Sequence, residues 1–192
     1  MITKLTAFIM ILFCLGASSL GQRSSLFFGK LGGGVSFPME QPGIYDRDAG
    51  YNLNISAGCL LTRYTGLRAD IDYDLFRDPS ARGVSTQPDN PRFYMTSLKL
   101  GFTAGVFKKK TKWKPYTIGG LGIHYITKLK TDTEVLQDSE VRFSVFAGAG
   151  IFATFSYEGG LFLEMEYQRF ISSDRLKANI PVRFGIVYCP GL

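Results

Sequence analysis

Apolar and charged residues alternate one for one in the segment from Leu67 to Leu75. The odd-numbered positions are apolar, and the charged positions between them are Arg68, Asp70, Asp72 and Asp74. A period of two is that of a β-strand, whose successive side chains point to opposite faces. The segment therefore predicts a strand with one wholly apolar face and one charged face.

The same alternation recurs along the chain and predicts eight strands. They cover residues 26–37, 51–61, 67–76, 93–107, 115–126, 142–156, 161–168 and 180–188. The connections at 62–66, 108–112 and 157–160 are short, and those at 38–50, 77–92, 127–140 and 172–178 are longer and polar. All long connections thus fall at one end, as in outer-membrane barrels with long external loops and short periplasmic turns. Aromatic residues near the strand ends, among them Phe107 and Trp113, suit an interfacial girdle.

Residues 1–21 have the layout of a secretory signal peptide. A positive start is followed by an almost continuously apolar stretch over 7–15 and by the small residues Ser19 and Gly21 before a cleavage site at Gln22. No later run of roughly 18 apolar residues could form a transmembrane helix. Because the chain is 45% hydrophobic and 14% aromatic, its apolar surface is expected in a sheet. Residues 22–192 are predicted to form one barrel domain with lipid outside and polar groups inside.

Charged residues on the polar faces of the strands form the candidate interior site. They are Lys30, Arg68, Asp70, Asp72, Asp74, Lys99, Arg142, Glu164, Glu166 and Arg183. Burying an unpaired ion costs several kcal/mol, so opposite charges must meet. The predicted strand order sets the acids of the third strand beside Lys99 and those of the seventh beside Arg183, and Lys30 joins them on closure. Side chains fill a barrel of eight strands, which favours a sealed plug over a narrow pore or ligand pocket.

No catalytic, cofactor or metal site is predicted. His124 is the only histidine, and no serine adjoins it in the sequence. Cys59 and Cys189 have no partners at metal-ligand spacing and are expected to be free thiols, since their strands are not neighbours. Residues 148–153 fit the dinucleotide pattern G-x-G-x-x-A, but no helix is predicted after them. The net charge of +6 comes without interleaved basic and aromatic residues, so nucleic acid is not an expected partner.

The chain resembles the small outer-membrane β-barrel family, the OmpA/OmpX-like barrels of Gram-negative bacteria. The resemblance rests on the eight alternating strands, on Lys114-Pro115-Tyr116 before the glycine-rich segment 119–122, and on the alternating last strand from Val182 to Tyr188. Members usually end on an aromatic residue, whereas four residues, 189–192, follow Tyr188 here. The family includes adhesins, structural anchors, narrow porin-like pores and a few lipid-modifying enzymes, so the resemblance leaves the function open.

The sequence therefore predicts an all-β protein, an eight-stranded antiparallel up-and-down transmembrane β-barrel. We expect a non-enzymatic, monomeric outer-membrane protein that contacts lipid and acts structurally or through its extracellular loops. An extracellular or periplasmic partner cannot be named from the sequence. The alternatives are a narrow pore, a soluble lipocalin-like barrel with an apolar ligand inside, and a lipid hydrolase that would need His124 as its base.

Overall fold

Eight antiparallel strands close into a barrel in the computed structural model. It describes residues 26–39, 49–77, 92–107, 111–127, 129–130, 135–137, 139–156, 159–171 and 177–189. The strands are β1 (Leu26–Met39), β2 (Gly50–Leu60), β3 (Thr65–Arg77), β4 (Arg92–Gly105), β5 (Trp113–Ile126), β6 (Leu129–Lys130), β7 (Val135–Gln137), β8 (Glu140–Thr154), β9 (Gly159–Ile171) and β10 (Ala178–Tyr188). The barrel order is β1-β10-β9-β8-β5-β4-β3-β2, and β6 pairs with β7 separately. The predicted signal peptide and the greater part of the predicted long loops lie outside the described residues.

Cross-strand pairs of apolar side chains cover the outside of the barrel. Ile71 in β3 lies opposite Ile55 in β2 on one side and opposite Leu98 in β4 on the other. All three side chains are about half exposed at the outer surface. Because β-branched and large apolar side chains pack well across neighbouring strands, such pairs stabilise the sheet while leaving an apolar outer face.

The two faces of the sheet differ sharply in polarity. On the outside, Leu100 is 59% exposed and Leu121 is 64% exposed, whereas Lys99 and Asp70 on the inside are 0% exposed. This orientation is opposite to that of a lipocalin-like barrel, whose apolar side chains would face inward. No helix in the described part of the chain is long and apolar enough to cross a membrane.

The structure confirms the predicted barrel of eight antiparallel strands and differs from the predictions at two places. The short β6–β7 hairpin lies within the predicted loop 127–140, and strands of two or three residues are too short to show a periodic pattern. Phe107, predicted in the outer girdle, is buried inside. Phe107 lies beyond the end of β4 at Gly105 but keeps the inward phase of Lys99 and Thr103, and its N–H donates to the Arg63 carbonyl in the turn after β2. Its aromatic ring near a strand end suggested the girdle, whereas its place in the alternation is an inward one.

Candidate functional site

The barrel interior has a charged centre between two apolar clusters. The cluster near the short turns, the turn-side plug, consists of Phe28, Leu60, Phe107, Tyr116, Ile118, Phe146, Phe152, Phe162, Val187 and Cys189. The cluster at the opposite end, the loop-side plug, consists of Phe76, Phe93, Met95, Ile126 and Phe170. Between them lies the charged layer, which we define as Lys30, Arg68, Asp70, Asp72, Lys99, Glu164, Glu166 and Arg183.

Glu164 of β9 is the centre of one half of the charged layer. Its Oε2 atom lies 2.6 Å from Lys30 Nζ and 2.8 Å from Arg68 Nη1, and it accepts a hydrogen bond of 2.8 Å from the Tyr116 hydroxyl. The same Arg68 guanidinium donates from Nε and Nη2 to the two oxygens of Asp70, at 2.8 and 2.6 Å. Arg68 thus binds one carboxylate on its own strand and one across the lumen, the geometry in which arginine forks are strongest.

Arg183 of β10 and Lys99 of β4 hold the other half together. Lys99 Nζ lies 2.7 Å from Asp72 Oδ2 and 2.5 Å from Glu166 Oε1. Arg183 lies 3.2 Å from Asp72, 3.1 Å from Glu166 and 3.4 Å from Glu164. The two halves therefore share Arg183, and each of these carboxylates contacts two or more cations. Buried ions in such a network offset part of each other's desolvation cost.

Aromatic rings of the turn-side plug cover two of the buried ammonium groups. Lys30 Nζ lies 4.5 Å from the centre of the Phe162 ring, and Lys99 Nζ lies 5.0 Å from the centre of the Phe146 ring. A cation over an aromatic face is attracted by the ring quadrupole, more so where water is excluded. The plug thus contributes to holding the charges as well as closing the end of the barrel.

All ten predicted interior charges are buried, and the structure brings eight of them into direct ion-pair contact as the charged layer. Asp74 adjoins that layer, but its hydrogen-bond donors are uncharged: Ser36 Oγ at 2.5 Å and Asn52 Nδ2 at 2.7 Å. Arg142 stands apart near the loop-side end, where it pairs with the partly exposed Glu140.

Several uncharged polar side chains complete the interior. Tyr116 and Gln168 donate to Glu164 and Glu166, and Asn54 Nδ2 donates to Asp72 at 2.6 Å. The alternation in the sequence places Asn54 and Gln168 on the polar faces of their strands, whereas Tyr116 was missed. Tyr116 is separated from His124 by an even number of positions in β5, so the same alternation puts both on the inner face. The sequence does not assign the partners of these side chains.

His124 has two serine partners that are distant in the sequence. Its Nδ1 lies 2.6 Å from Ser97 Oγ and its Nε2 lies 2.6 Å from Ser144 Oγ. One ring nitrogen donates and the other accepts, as a neutral imidazole requires. Phe170 contacts the ring edge-on at 4.8 Å between ring centres. The three polar residues are buried, so neither serine has an open path to a substrate.

Glycines make room for the large interior rings. A Cβ at Gly150 would lie 2.5 Å from Tyr116 Cζ, and one at Gly32 would lie 2.5 Å from Phe162 Cζ. Such distances are far below van der Waals contact, so each ring occupies the space that a side chain on the facing strand would need. At these places the interior is therefore filled by a large ring from one strand that packs over a glycine of another.

Comparisons with known proteins find similarity only at the level of structure. No protein-family model matches the sequence, and no curated protein does. Neisserial surface protein A is 15% identical, with a TM-score of 0.59 over 84% of this chain and 96% of that one. Ail of Yersinia pestis, solved with the heparin analogue sucrose octasulfate, is 14% identical, with a TM-score of 0.60 over 87% and 99%. The outer membrane protein OprG of Pseudomonas aeruginosa is 8% identical, with a TM-score of 0.63 over 90% and 99%. The chain therefore has the fold of the small eight-stranded outer-membrane barrels, as the resemblance implied.

Proposed function

We propose that the protein is an integral, monomeric protein of the outer membrane, exported by the signal peptide predicted at residues 1–21. It has no enzymatic activity, its interior serves as a structural plug, and any recognition is carried by the extracellular loops. The observation that carries the proposal is the inverted polarity of the barrel: an apolar outer surface around a charged, closed interior.

The outer surface supports insertion in lipid. About midway along β9, Leu163 and Met165 are more than half exposed, and their inward-facing neighbours Glu164 and Glu166 are buried. In a water-soluble protein the glutamates would face outward and the apolar residues inward, since a large apolar patch exposed to water favours association. Lipid tails can contact such an apolar surface without exposing it to water. In a closed barrel every strand also has a hydrogen-bonded neighbour on both sides, so no backbone edge is left unpaired in the bilayer.

The interior supports a plug better than a pore. A conducting path would have to pass the turn-side plug, the charged layer and the loop-side plug in succession. At the loop-side end, Phe76 and Met95 are 0% exposed, and the Phe76 and Phe93 rings stack with their centres 5.0 Å apart. Within the charged layer, the cation nearest each carboxylate lies at 2.5 to 2.7 Å, which leaves no open path between them.

The hydrolase alternative has less support. Its only candidate base, His124, is 0% exposed, and both serines that contact it are buried as well. A lipid substrate would have to reach these groups through the barrel wall or past the loop-side plug. The hydrogen bonds of His124 with the two serines account for the burial of these three polar residues without a catalytic role.

Fractionation of cells that express the full chain is the direct test of the proposal. We expect the mature protein in the outer membrane, resistant to extraction with urea or carbonate, and with a mobility shift on gels between unheated and boiled samples. Recovery in the soluble periplasmic fraction would refute the proposal. For the plug, purified protein in planar bilayers should show no steady conductance, and a stable open level would favour the pore.

A further inference from the structure

A ring of largely uncharged polar side chains lies between the charged layer and the loop-side plug. We define this polar ring as Ser36, Asn52, Asp74, Ser97, His124, Ser144, Gln168 and Asn179; all are 0 to 5% exposed. The strands fix its level. In β3, Asp74 follows Asp72 of the charged layer and precedes Phe76 of the plug, and in β9 Gln168 stands in the same relation to Glu166 and Phe170.

Several polar atoms of this ring have no hydrogen-bond partner among the described residues. They are Asp74 Oδ2, Gln168 Oε1 and both the Oδ1 and Nδ2 atoms of Asn179. Gln168 and Asn179 lie directly opposite each other in the β9–β10 pairing, and all three residues are 0% exposed. A buried polar atom without a partner costs free energy. One carboxylate oxygen and two amide oxygens of the polar ring thus have unused acceptor capacity.

The charges of the interior are not balanced at this level. Four cations (Lys30, Arg68, Lys99 and Arg183) contact the charged layer's four carboxylates. Asp74 is a fifth carboxylate, and among the described residues only uncharged Ser36 and Asn52 donate hydrogen bonds to it. Of the other buried cations of the described strands, Arg142 pairs with Glu140 through Nη2 near the loop-side end and leaves Nε and Nη1 without partners, and Lys114 lies beside Thr154 near the short turns. One negative charge therefore remains, on the loop side of the network.

We propose that the polar ring binds one alkali-metal cation, Na⁺ or K⁺, with Asp74 Oδ2 as its charged ligand. The amide oxygens of Gln168 and Asn179 on the facing strands contribute directly or through water. Carboxylate and carbonyl oxygens are the ligands that hard cations prefer, and a single positive charge balances the single excess carboxylate. In the described part of the chain no group of three or more His, Cys, Asp or Glu side chains could hold a metal ion, so the proposed ligands are one carboxylate and amide oxygens.

Cation-dependent unfolding tests the proposal. The full mature protein in detergent micelles is unfolded with urea at constant ionic strength, while NaCl or KCl replaces tetramethylammonium chloride. The methyl groups of tetramethylammonium keep oxygen ligands away from its charge. A cation bound only by the folded state multiplies the folding equilibrium constant by one plus the ratio of its concentration to its Kd. Above the Kd, we expect each tenfold increase in the alkali cation to raise that constant about tenfold.

The matched variants are Asp74→Asn and Asp70→Asn, which make the same change in the polar ring and in the charged layer. Asp74→Asn should lose the dependence on alkali cations, while Asp70→Asn should be less stable but keep it, since Asp70 pairs with Arg68. Asn179→Ala should keep the charge and weaken the dependence. In crystals soaked with thallium(I), a substitute for K⁺, anomalous density should lie beside Asp74.

Two results would overturn the proposal. If the wild-type protein is equally stable in tetramethylammonium and alkali chlorides, the ring holds water or a proton on Asp74 and no metal cation. If Asp74→Asn retains the full dependence, the cations act elsewhere on the protein. Should Asp74→Asn fail to fold, Asn179→Ala and the thallium density decide the question in the same way.

Discussion

Replacement of Glu164 by glutamine is the substitution that we expect to destabilise the barrel most through electrostatics. The carboxylate accepts from Lys30, Arg68 and Tyr116 at 2.6 to 2.8 Å and lies 3.4 Å from Arg183. Glutamine keeps the shape of the side chain but removes the charge. Its amide nitrogen would also place a donor where three other donors already point.

The magnitude follows from the burial of the partners. Removing one member of a buried ion pair costs about 3–5 kcal/mol, because the remaining charge stays buried without compensation. Since Glu164 serves three cations, we expect a loss of at least about 3 kcal/mol in the free energy of unfolding. Urea titration in lipid vesicles can measure this. Trp113 is the only tryptophan in the sequence and is 61% exposed on the outer surface, so its fluorescence reports the loss of the membrane-inserted barrel.

Glu140→Gln is the matched control, because it makes the same change at the partly exposed pair with Arg142. The Glu140 side chain is 33% exposed, so water can solvate part of the charge left on Arg142, and we expect a smaller loss than for Glu164→Gln. In a second step, Lys30→Met combined with Glu164→Gln should recover part of the loss, since methionine can pack against the Phe162 ring. Equal losses for Glu140→Gln and Glu164→Gln would refute the view that the charged layer is held together by ion pairs.

Three further predictions concern packing, lipid contact and thiol access. Gly150→Ala should cost about 1–3 kcal/mol, because its Cβ would force the Tyr116 ring aside; urea unfolding measures it. Leu163→Arg, on the outer face, should cost about 2–4 kcal/mol in vesicles. Maleimide should label the outward-facing Cys59 in detergent and spare Cys189, whose side chain is buried and whose burial raises the pKa of its thiol to about 11; mass spectrometry distinguishes the two thiols.

Each of these predictions has a control in the same barrel. Gly119→Ala adds the same methyl group on the outward face of β5, where it would lie in ordinary contact 3.4 Å from the Phe102 ring that covers this position, and it should cost less than Gly150→Ala. Phe155→Arg places the same charge beyond the end of β8, at a 73% exposed position, where it should cost about 0–1 kcal/mol. For the thiols, both cysteines should react after unfolding in urea. Equal losses of stability for a variant and its control would contradict the positions assigned to these residues. Labelling of Cys189 in the folded protein would contradict its assignment to the interior.

The sequence predicted the faces of the strands well because one physical requirement acts on the whole outer surface. Every outward position of a strand such as β2 has to be apolar where it meets lipid, so the alternation persists through the strand and marks its direction. The pattern even extends past the end of β4, because Phe107 keeps the inward phase of Lys99 and Thr103 and is buried. Phe107 was assigned to the girdle because it is aromatic and lies near a strand end, and the alternation alone would have placed it inside.

The partners within the charged layer could be predicted only in part. Register places Arg183 directly opposite Glu164, and adjacency in the sheet was enough to predict that contact. Lys99, predicted beside the acids of β3, also contacts Glu166 across the lumen. Contacts across the lumen depend on how far the strands are tilted and offset when the barrel closes. Those quantities are not encoded in the alternation of any single strand.

The same geometry explains why so many glycines occur inside the barrel and why their roles could not be assigned from the sequence. The number of strands and their tilt fix the width of the lumen, so each added ring must be matched by volume removed from the facing wall. Gly32 lies in β1 and the Phe162 ring that covers it comes from β9, with β10 between them. The many glycines in the sequence therefore indicate close packing. Which aromatic ring packs over each glycine is determined only when the barrel closes. Among the described residues of a lumen filled in this way, the buried polar atoms without a partner lie in the polar ring and on Arg142 near the loop-side end.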